Sequence, residues 1–333
     1  MERMRAIRCL DFGHPPELKL QSVARPRLAA GAVRVRVEYC GLGFPEGLML
    51  QGKYQMKLKP PFVPGSEIAG TVIEVAEGVE YPRIGSRVVG LDQSFCGGLA
   101  EEVVIDADYL LELPDFVTTR VAAGMAVNYA TACYGLVQRG GLQVGETALV
   151  LGAGGNLGGA FVEMIDALGG VPLAACGSSR KLEVAAAHGA TMGFDYTKEP
   201  IKEAVARMTG GDGLDIVVDP VGGNYSQAAL RCLRPGGRLL VTGFAAGEIP
   251  CMPLNLPLLK NCSVVGVLLS TQVVRNPAEF RENLSAAFEL YREGLVRPEL
   301  IEVDCFSDFR CGIGLLSERD RIGKVVMRIT GTA

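Results

Sequence analysis

The sequence predicts an α/β protein in which a doubly wound parallel sheet is combined with a mostly β region. Three observations support this fold class. Short apolar segments separated by Gly- and Pro-containing turns fill the first third of the 333 residues. From about residue 121 onward, segments typical of helices and strands alternate, which is the pattern of repeated βα units. Over residues 146–159, an apolar strand runs through a glycine-rich loop into a helix.

The first third is expected to form an irregular antiparallel barrel or sandwich. Residues 33–37 alternate apolar and polar side chains, as a half-buried strand does, and residues 68–75 and 87–91 read as two further strands. Residues 1–8 contain basic side chains with no apolar run behind them. They therefore predict a first strand of a folded domain, and no secretory signal is visible.

The alternating region predicts a doubly wound parallel sheet. The expected helices are 121–135, 156–168, 181–188, 200–209 and 225–233, and the expected strands are 148–151, 171–175, 192–196, 214–219, 238–242 and 263–267. A helix over 277–293 and a final strand over 324–329 follow. We expect these two C-terminal elements to pack back on the first third.

The glycine-rich loop predicts a dinucleotide site of the Rossmann type. The spacing Ala153-x-Gly155-x-x-Gly158 follows a strand and opens a helix inside a βαβ unit. Glycines let backbone N–H groups approach a pyrophosphate at the helix N-terminus, where the helix dipole favours negative charge. The residues assigned to this site are Gly152, Ala153, Gly155, Asn156, Leu157 and Gly158. The alternative is a loop whose glycines have only a backbone role.

The segment after the next strand favours NADPH over NADH. About 20 residues beyond the loop, a carboxylate would hold the ribose 2′-hydroxyl of NAD. Here residues 174–181 contain no carboxylate but two serines and two cations, which suit a 2′-phosphate. We predict that Ser178 and Lys181 contact this phosphate. For Arg180, a solvated position at the helix start is the preferred interpretation.

Composition excludes several function classes. Lys and Arg total 33 against 37 for Asp and Glu, a net charge of −4, which argues against broad capture of nucleic acid or an anionic membrane surface. No apolar run approaches the ~20 residues of a membrane helix. The ten cysteines show no C-x-x-C spacing and are accompanied by only two histidines. We therefore expect free thiols in a reducing compartment rather than a structural zinc site. A cytoplasmic location is expected, with an organellar matrix left open.

Several short motifs, taken together in order, resemble one family along nearly the whole chain. They are residues 41–46, 52–55, 61–70, 85–88, 145–147, 152–158, 258–261 and 322–326. In these motifs the chain resembles the medium-chain dehydrogenase/reductase superfamily, in its zinc-free, ζ-crystallin-like quinone oxidoreductase branch. The resemblance implies a GroES-like catalytic domain formed by residues 1–121 and 268–333, with the Rossmann domain, residues 122–267, inserted between them. It also implies a nicotinamide cleft between the domains and a homodimer through the sheet edge near 264–267.

The resemblance also implies chemistry without a metal. Zinc-dependent relatives have a Cys-His pair where this chain has Gly43-Phe44, and Gly-His-Glu where it has Gly65-Ser66-Glu67. Cys40 lies three positions too early to replace the missing cysteine, and a small apolar role on a strand is its preferred interpretation. Without a Lewis acid, alcohol oxidation is disfavoured. An acceptor that needs little activation fits better.

Tyr54 is the candidate catalytic residue. It lies in a loop, residues 52–55, that faces the nicotinamide in relatives, where its phenol could donate a proton or hydrogen bond to the acceptor oxygen. An equally weighted alternative is that Tyr54 only forms part of the apolar wall of the pocket. The leading function is an NADPH-dependent reductase of quinones. The alternatives are a reductase of α,β-unsaturated carbonyl compounds and a low-turnover NADPH-binding sensor or scaffold.

Further cofactor contacts are carried over from the resemblance. Thr131 is expected beside the nicotinamide ribose and phosphates, and Tyr196 near the adenosine phosphate. Four more residues follow two strand C-termini, where ligands of open α/β sheets collect: Gly243, Phe244, Val267 and Leu269. The alternatives are a helix hydroxyl bonded to its own backbone for Thr131, a half-buried strand aromatic for Tyr196, and ordinary core positions for the apolar residues.

Three departures from the family bear on activity. Relatives often have Asn in place of Gly43, where that side chain helps to position nicotinamide and substrate. Many have an aromatic-glycine pair where this chain has residues 268–270. Glu46 replaces a usual Asp, and we slightly prefer a surface position for it over a supporting polar role near the site. The Gly43 departure keeps the scaffold alternative open.

Overall fold

The computed structural model describes residues 2–92, 94 and 96–329. The strands are β1 (Arg3–Asp11), β2 (Glu17–Ala24), β3 (Ala32–Leu42), β4 (Glu67–Val75), β5 (Arg87–Leu91), β6 (Glu102–Asp106), β7 (Leu110–Glu112), β8 (Thr147–Leu151), β9 (Val171–Cys176), β10 (Met192–Asp195), β11 (Leu214–Asp219), β12 (Leu233–Val241), β13 (Ser263–Gly266), β14 (Leu300–Asp304) and β15 (Lys324–Arg328). The α-helices are α1 (Phe44–Leu50), α2 (Thr119–Cys133), α3 (Asn156–Ala167), α4 (Ser179–Ala187), α5 (Ile201–Met208), α6 (Gly223–Leu230), α7 (Asn255–Lys260), α8 (Leu269–Arg275), α9 (Pro277–Arg292) and α10 (Cys305–Leu315).

The chain divides into two compact units. The first extends to Val127 and includes Ser270–Glu282 and the described residues from Pro298 onward. The second comprises Asn128–Leu269 and Asn283–Arg297. Among the described residues, no helix combines the length and the apolar character that crossing a bilayer requires.

The first unit is mostly β. One sheet has the strand order β14-β15-β3-β4-β5-β7, with β6 also paired to β3, and β1 and β2 form a separate antiparallel pair. β15 runs antiparallel to β3, with Met327 opposite Cys40, so the C-terminal strand closes onto the N-terminal sheet as expected. Apolar side chains of β3, β4, β15 and α10 share one core. Because β15 lies inside this sheet, between β14 and β3, the C-terminal segment is part of the unit rather than an appendage.

The second unit is a parallel six-stranded sheet in the order β10-β9-β8-β11-β12-β13. Numbered from β8, this is the 3-2-1-4-5-6 order of doubly wound dinucleotide-binding sheets, so the predicted fold class is confirmed. The order reverses between β8 and β11, which pair directly. Ligands of such sheets bind outside the carboxyl ends of the strands at this reversal.

Several local expectations differ from the structure. The α-helix predicted to end at residue 135 ends at Cys133, and a π-helical segment, Tyr134–Arg139, follows it directly. The helix predicted over 225–233 is α6, which begins and ends earlier. Arg34, expected on the polar face of its strand, is buried because its guanidinium pairs with Glu74 at 2.6 Å and donates to the carbonyl of Pro26. The elements that were not foreseen are β2, β6, β7, β14, α1, α7, α8 and α10. Of α9, which was expected to pack on the first third, only the part up to Glu282 belongs to the first unit.

Candidate functional site

The glycine-rich loop forms as its spacing predicts. β8 leads into Gly152, whose φ of +63° is a left-handed conformation that favours glycine. The Gly155 N–H donates to the carbonyl of Gly152 at 2.9 Å, which closes the turn. α3 then begins at Asn156 with Gly155 as its N-cap, and no side chain caps this end. The first-turn N–H groups are therefore available to an anion.

The space around three glycines of the loop differs, and it determines how strictly each position excludes a side chain. A Cβ at Gly158 would lie 2.2 Å from the carbonyl oxygen of Gly152, so the helix packs against the loop too closely for any side chain. A Cβ at Gly154 would lie 2.3 Å from the carbonyl oxygen of Lys181. At Gly155 the nearest atom would be the Gly152 oxygen, at 3.3 Å. Packing within the chain therefore excludes a side chain less strictly at Gly155 than at Gly154 or Gly158.

Lys181 packs against this loop at Gly154, and Ser178 is bonded to Lys181. Ser178 is the N-cap of α4, and its hydroxyl accepts a hydrogen bond from the Lys181 N–H at 3.3 Å. The Cys176 thiol, at the end of β9, donates to the Lys181 carbonyl. Arg180 is exposed in the first turn of the same helix, and its solvated role stays a prediction. The structure thus places the two residues assigned to the 2′-phosphate together at the start of α4, with Lys181 beside the glycine loop.

Tyr196 lies at the carboxyl ends of the strands of the same sheet. It follows β10 directly, and its N–H donates to the carbonyl of Cys176. Its ring centroid is 4.5 Å from that of Tyr225, and its hydroxyl would lie 3.1 Å from a Cβ at Gly177. Burial, with smaller contributions from neighbouring groups, raises the pKa of Tyr196 to about 12, so the phenol is a neutral donor. Its contact with an adenosine phosphate stays a prediction.

At the carboxyl ends of the strands, the loop after β11 contacts the glycine loop, and the loop after β12 contacts the loop after β11. A Cβ at Gly152 would lie 3.1 Å from a methyl of Val221, in the loop after β11. The Gly243 N–H donates to the Asp219 carbonyl, and a Cβ at Gly222 would lie 2.9 Å from the ring of Phe244. Gly243 and Phe244 therefore lie at the carboxyl end of β12, as expected, beside the loop after β11.

Asp219 is an organising residue that the sequence interpretation missed. Its side chain is buried, and Oδ1 accepts from the N–H groups of Val221 and Gly222 at 2.9 and 2.8 Å. Oδ2 accepts from the Ser226 hydroxyl. This carboxylate fixes the loop after β11. The signal was present, because Asp219 ends a run of apolar residues and is followed by Pro220.

The other residues of the second unit that were predicted to contact the cofactor are buried. Val267 follows β13, and its N–H donates to the carbonyl of Val241 at 2.9 Å. Leu269 is 8% exposed, and Thr131, on α2, is 7% exposed. Their contacts with a ligand stay predictions.

The first unit contains a buried polar cluster beside Gly43. Glu46 is 5% exposed; Oε2 accepts from the Gly43 N–H at 2.8 Å, and Oε1 accepts from the Ser66 hydroxyl at 2.9 Å. The preferred expectation of a surface acid was therefore wrong. Glu46 is held inside because the start of α1 and the residue before β4 each supply a donor to its carboxylate.

A buried ion pair completes this cluster. Lys324 Nζ lies 2.6 Å from Glu67 Oε2, and the two side chains are 4% and 1% exposed. Glu67 Oε1 accepts from the Val127 N–H at 2.8 Å. Burial raises the pKa of Glu67 although Lys324 opposes this change. A Cβ at Gly43 would lie 3.3 Å from Lys324 Nζ, so the ammonium occupies the space next to the missing side chain.

Tyr54 lies on the loop after α1 and is partly buried. Burial raises its pKa, and the charge of Glu46 raises it further, so the phenol keeps its proton at neutral pH. Cys40 is fully buried on β3, and burial raises the pKa of its thiol well above the ordinary value. In the described part of the chain, no three His, Cys, Asp or Glu side chains are grouped as metal ligands.

Two family models match the chain. The model described as an alcohol dehydrogenase GroES-like domain matches residues 29–115, and the one described as a zinc-binding dehydrogenase matches residues 157–289. The first match confirms the GroES-like character expected of the β-rich region.

Curated relatives are similar over nearly the full length. Quinone oxidoreductase-like protein 2 homolog of Nematostella vectensis is 35% identical over 327 residues, covering 97% of this chain and 88% of the relative. Quinone oxidoreductase-like protein 2 of Bos taurus is 35% identical over 326 residues, covering 98% of this chain and 92% of the relative.

Among solved structures, the quinone oxidoreductase of Thermus thermophilus, described together with its complex with NADPH, is similar with a TM-score of 0.79. Its sequence is 34% identical, and the match covers 98% of this chain and 100% of that one. The motifs, the fold and these similarities agree. The chain belongs to the medium-chain dehydrogenase/reductase superfamily of oxidoreductases, in its quinone oxidoreductase branch.

Proposed function

We propose that this protein is an NADPH-dependent reductase of quinones that works without zinc. The observation that carries the proposal is the glycine loop, which has an open helix end at Gly155 and packs at Gly154 against Lys181, the residue bonded to Ser178. Backbone donors for a pyrophosphate and a cation for an additional phosphate are thus adjacent. The names of the relatives, and the NADPH complex of the Thermus thermophilus protein, support the same proposal.

NADPH, when bound, supplies the hydride. The residues of this chain bind and orient it. The first-turn N–H groups of α3 hold the pyrophosphate, Ser178 and Lys181 hold the 2′-phosphate, and Thr131, Tyr196, Gly243, Phe244, Val267 and Leu269 make the remaining contacts. A quinone needs little activation because the charge it gains spreads onto an oxygen. The neutral phenol of Tyr54 donates to that oxygen.

The zinc-free part of the proposal depends on the residues at three positions. Gly43, Phe44 and Ser66 stand where zinc-dependent relatives have thiolate and imidazole ligands, and none of them supplies such a group. A chelator should therefore leave turnover unchanged, and metal analysis of the active protein should find less than one zinc per chain.

The test of the proposed function is NADPH consumption with ortho- and para-quinones, alongside enones. We expect saturable NADPH binding and turnover that is faster with quinones. Turnover of enones but not quinones would show that the substrates are α,β-unsaturated carbonyl compounds instead. Absence of NADPH binding would refute the proposal.

Lys181→Ala tests the cofactor preference. The substitution removes one charge from the 2′-phosphate, so NADPH affinity should fall about tenfold while NADH affinity changes little. Titrations of both nucleotides against parent and variant measure this. Equal affinities for NADPH and NADH in the parent would contradict the preference.

Tyr54→Phe and Tyr54→Ala separate the two interpretations of the phenol. If Tyr54 donates, Tyr54→Phe should lower kcat about tenfold or more with little change in NADPH affinity. Tyr81→Phe is the control, since Tyr81 is exposed and its hydroxyl accepts from the Glu112 N–H. Full turnover in Tyr54→Phe, with loss only in Tyr54→Ala, would make Tyr54 an apolar wall.

Gly43 favours a second candidate, an NADPH-binding protein with low turnover that acts as a sensor or scaffold. The structure has no side chain at this position, and Lys324 Nζ lies beside it instead. Tight NADPH binding without turnover on any quinone or enone would support this candidate.

We also propose a homodimer through β13. This strand is the edge of the parallel sheet, and Val264 on it is 47% exposed. Nearby apolar side chains on and before α7 are more exposed still: Leu254 at 83%, Leu258 at 78% and Leu259 at 76%. A bare apolar edge is stabilised by pairing with a second copy across a twofold axis.

Val264→Lys should convert the dimer to a monomer, because a charge on the paired edge is buried without a partner. Light scattering coupled to size-exclusion chromatography measures the mass. Val144→Lys, at an 83% exposed valine elsewhere in the second unit, is the control and should leave the dimer intact. A parent that elutes as a monomer would contradict the proposed assembly.

A further inference from the structure

A lysine from the loop after β10 lies at the N-terminal end of α4. Lys198 Nζ is 3.0 Å from the hydroxyl of Ser179, the first residue of that helix, and 3.2 Å from Asp195 Oδ2. Ser178 is the N-cap of the same helix, and Lys181 is in its first turn. Lys198 therefore adds a cation, from a separate segment of the chain, to the helix end that carries the two residues assigned to the 2′-phosphate.

The position of Lys198 is fixed by a carboxylate. Asp195 is buried, and its Oδ1 accepts from the Thr197 N–H at 3.0 Å and from the Thr197 hydroxyl at 2.6 Å. These hydrogen bonds, with a smaller contribution from Lys198, lower the pKa of Asp195. Oδ2 remains for the ammonium. Glu199, the next residue, pairs with Arg207 at 2.7 Å and does not cancel the charge of Lys198.

Lys198 is nevertheless open to a ligand. Its side chain is 67% exposed. An ammonium has three donors, and the two contacts to Ser179 and Asp195 leave one of them for an anion in the solvent. Loss of this ammonium would also leave the Asp195 carboxylate without its partner at the same place.

We propose that Lys198 is a specificity-determining residue that contacts the 2′-phosphate of NADPH together with Ser178 and Lys181. This inference rests on the proposed NADPH-dependent function. A 2′-phosphate carries close to two negative charges at neutral pH, whereas the 2′-hydroxyl of NADH carries none. Lys198 therefore attracts one coenzyme and is indifferent to the other, and it shields the phosphate from Asp195.

The experiment compares Lys198→Met, Lys198→Arg and the control Lys202→Met in the full chain. Lys202 has an exposed side chain on α5, the helix that follows the same loop. Dissociation constants are measured for NADPH and NADH, and for 2′,5′-ADP and ADP, which isolate the adenosine end. Thermal denaturation verifies that each variant is folded.

In Lys198→Met we expect affinity for NADPH and 2′,5′-ADP to fall about tenfold, and affinity for NADH and ADP to change less than about twofold. The loss should shrink at high salt because the contact is exposed. Lys198→Arg should retain most of the NADPH affinity, and Lys202→Met should resemble the parent.

The failures of the two proposals are distinguishable. If the parent binds NADPH more tightly than NADH and Lys198→Met keeps that preference, the role of Lys198 is refuted while the function stands. An equal loss for both coenzymes, or the same loss in Lys202→Met, also refutes it. A parent that binds neither coenzyme, or prefers NADH, overturns both.

Discussion

Replacing Lys324 with methionine is expected to lower the free energy of unfolding by about 3–5 kcal/mol. The Lys324 and Glu67 side chains are almost fully buried, and the ammonium is 2.6 Å from Oε2. Oε2 has no other hydrogen-bond partner among the described residues. Removal of the ammonium therefore leaves a buried carboxylate uncompensated, and this costs far more than loss of a surface pair. Urea denaturation followed by circular dichroism measures the change.

Two variants make this prediction specific. Lys324→Met combined with Glu67→Gln should recover more than half of the loss, because glutamine removes the charge and can still accept from the Val127 N–H. Lys19→Met removes a surface pair, in which Lys19 and Glu17 are 2.8 Å apart and more than half exposed, and should cost less than about 1 kcal/mol. A double variant as unstable as Lys324→Met alone would show that lost packing, not charge, is responsible.

The same variant should be less destabilised at low pH. Burial already raises the pKa of Glu67 from its ordinary 4.5, and loss of Lys324 removes the main opposing influence. The folded variant then binds a proton more readily than the unfolded chain does. Its free energy of unfolding should rise as the pH falls from about 8 toward about 5, relative to the parent. A constant difference between parent and variant over this range would contradict a charged Glu67 in the variant.

The sequence was sufficient where the relevant pattern is local. The glycine loop, the strand before it and the helix after it follow from spacing within one short segment, residues 146–159. The order of βα units predicted the sheet for the same reason. The sequence was insufficient for predicting contacts between residues that are far apart along the chain. Glu46 is buried because Ser66, 20 positions away, supplies a hydroxyl. Lys198 reaches Ser179 across 19 positions, and no spacing rule identifies such a pair.

Weak local patterns explain two of the missed elements, β14 and α10. β14 has no fully buried side chain, so its apolar and polar residues do not alternate clearly. It forms because β15 provides a parallel partner, with Ile301 opposite Val325. α10 contains Gly312 and Gly314, which lower helix propensity, and it is stabilised by packing of Phe309 and Ile313 in the core of the first unit. Tertiary contacts decide both elements.

Gly155→Ala is expected to lose affinity for NADPH, whereas Gly158→Ala is expected to lose stability. Gly155 has a φ of −98°, which alanine adopts freely, and its Cβ would approach only the Gly152 oxygen, at 3.3 Å. The variant should therefore fold with near-parent stability. The methyl group would nevertheless stand where we propose that the pyrophosphate approaches α3. Loss of one or two charge-assisted hydrogen bonds should weaken NADPH binding by about 2–3 kcal/mol, or roughly 30- to 150-fold.

Gly158→Ala should instead destabilise the fold. Its Cβ would lie 2.2 Å from the Gly152 oxygen and 2.8 Å from the Ala153 Cα, and neither backbone atom can move without opening the contact between β8 and α3. Overpacking of this kind costs about 1–3 kcal/mol or more. Gly314→Ala, where a Cβ meets nothing within 4 Å, is the control for both variants. Calorimetry with NADPH and thermal denaturation read the two effects separately. If Gly155→Ala bound NADPH like the parent, the proposed position of the coenzyme on this loop would be wrong, because the added methyl group would then meet no ligand.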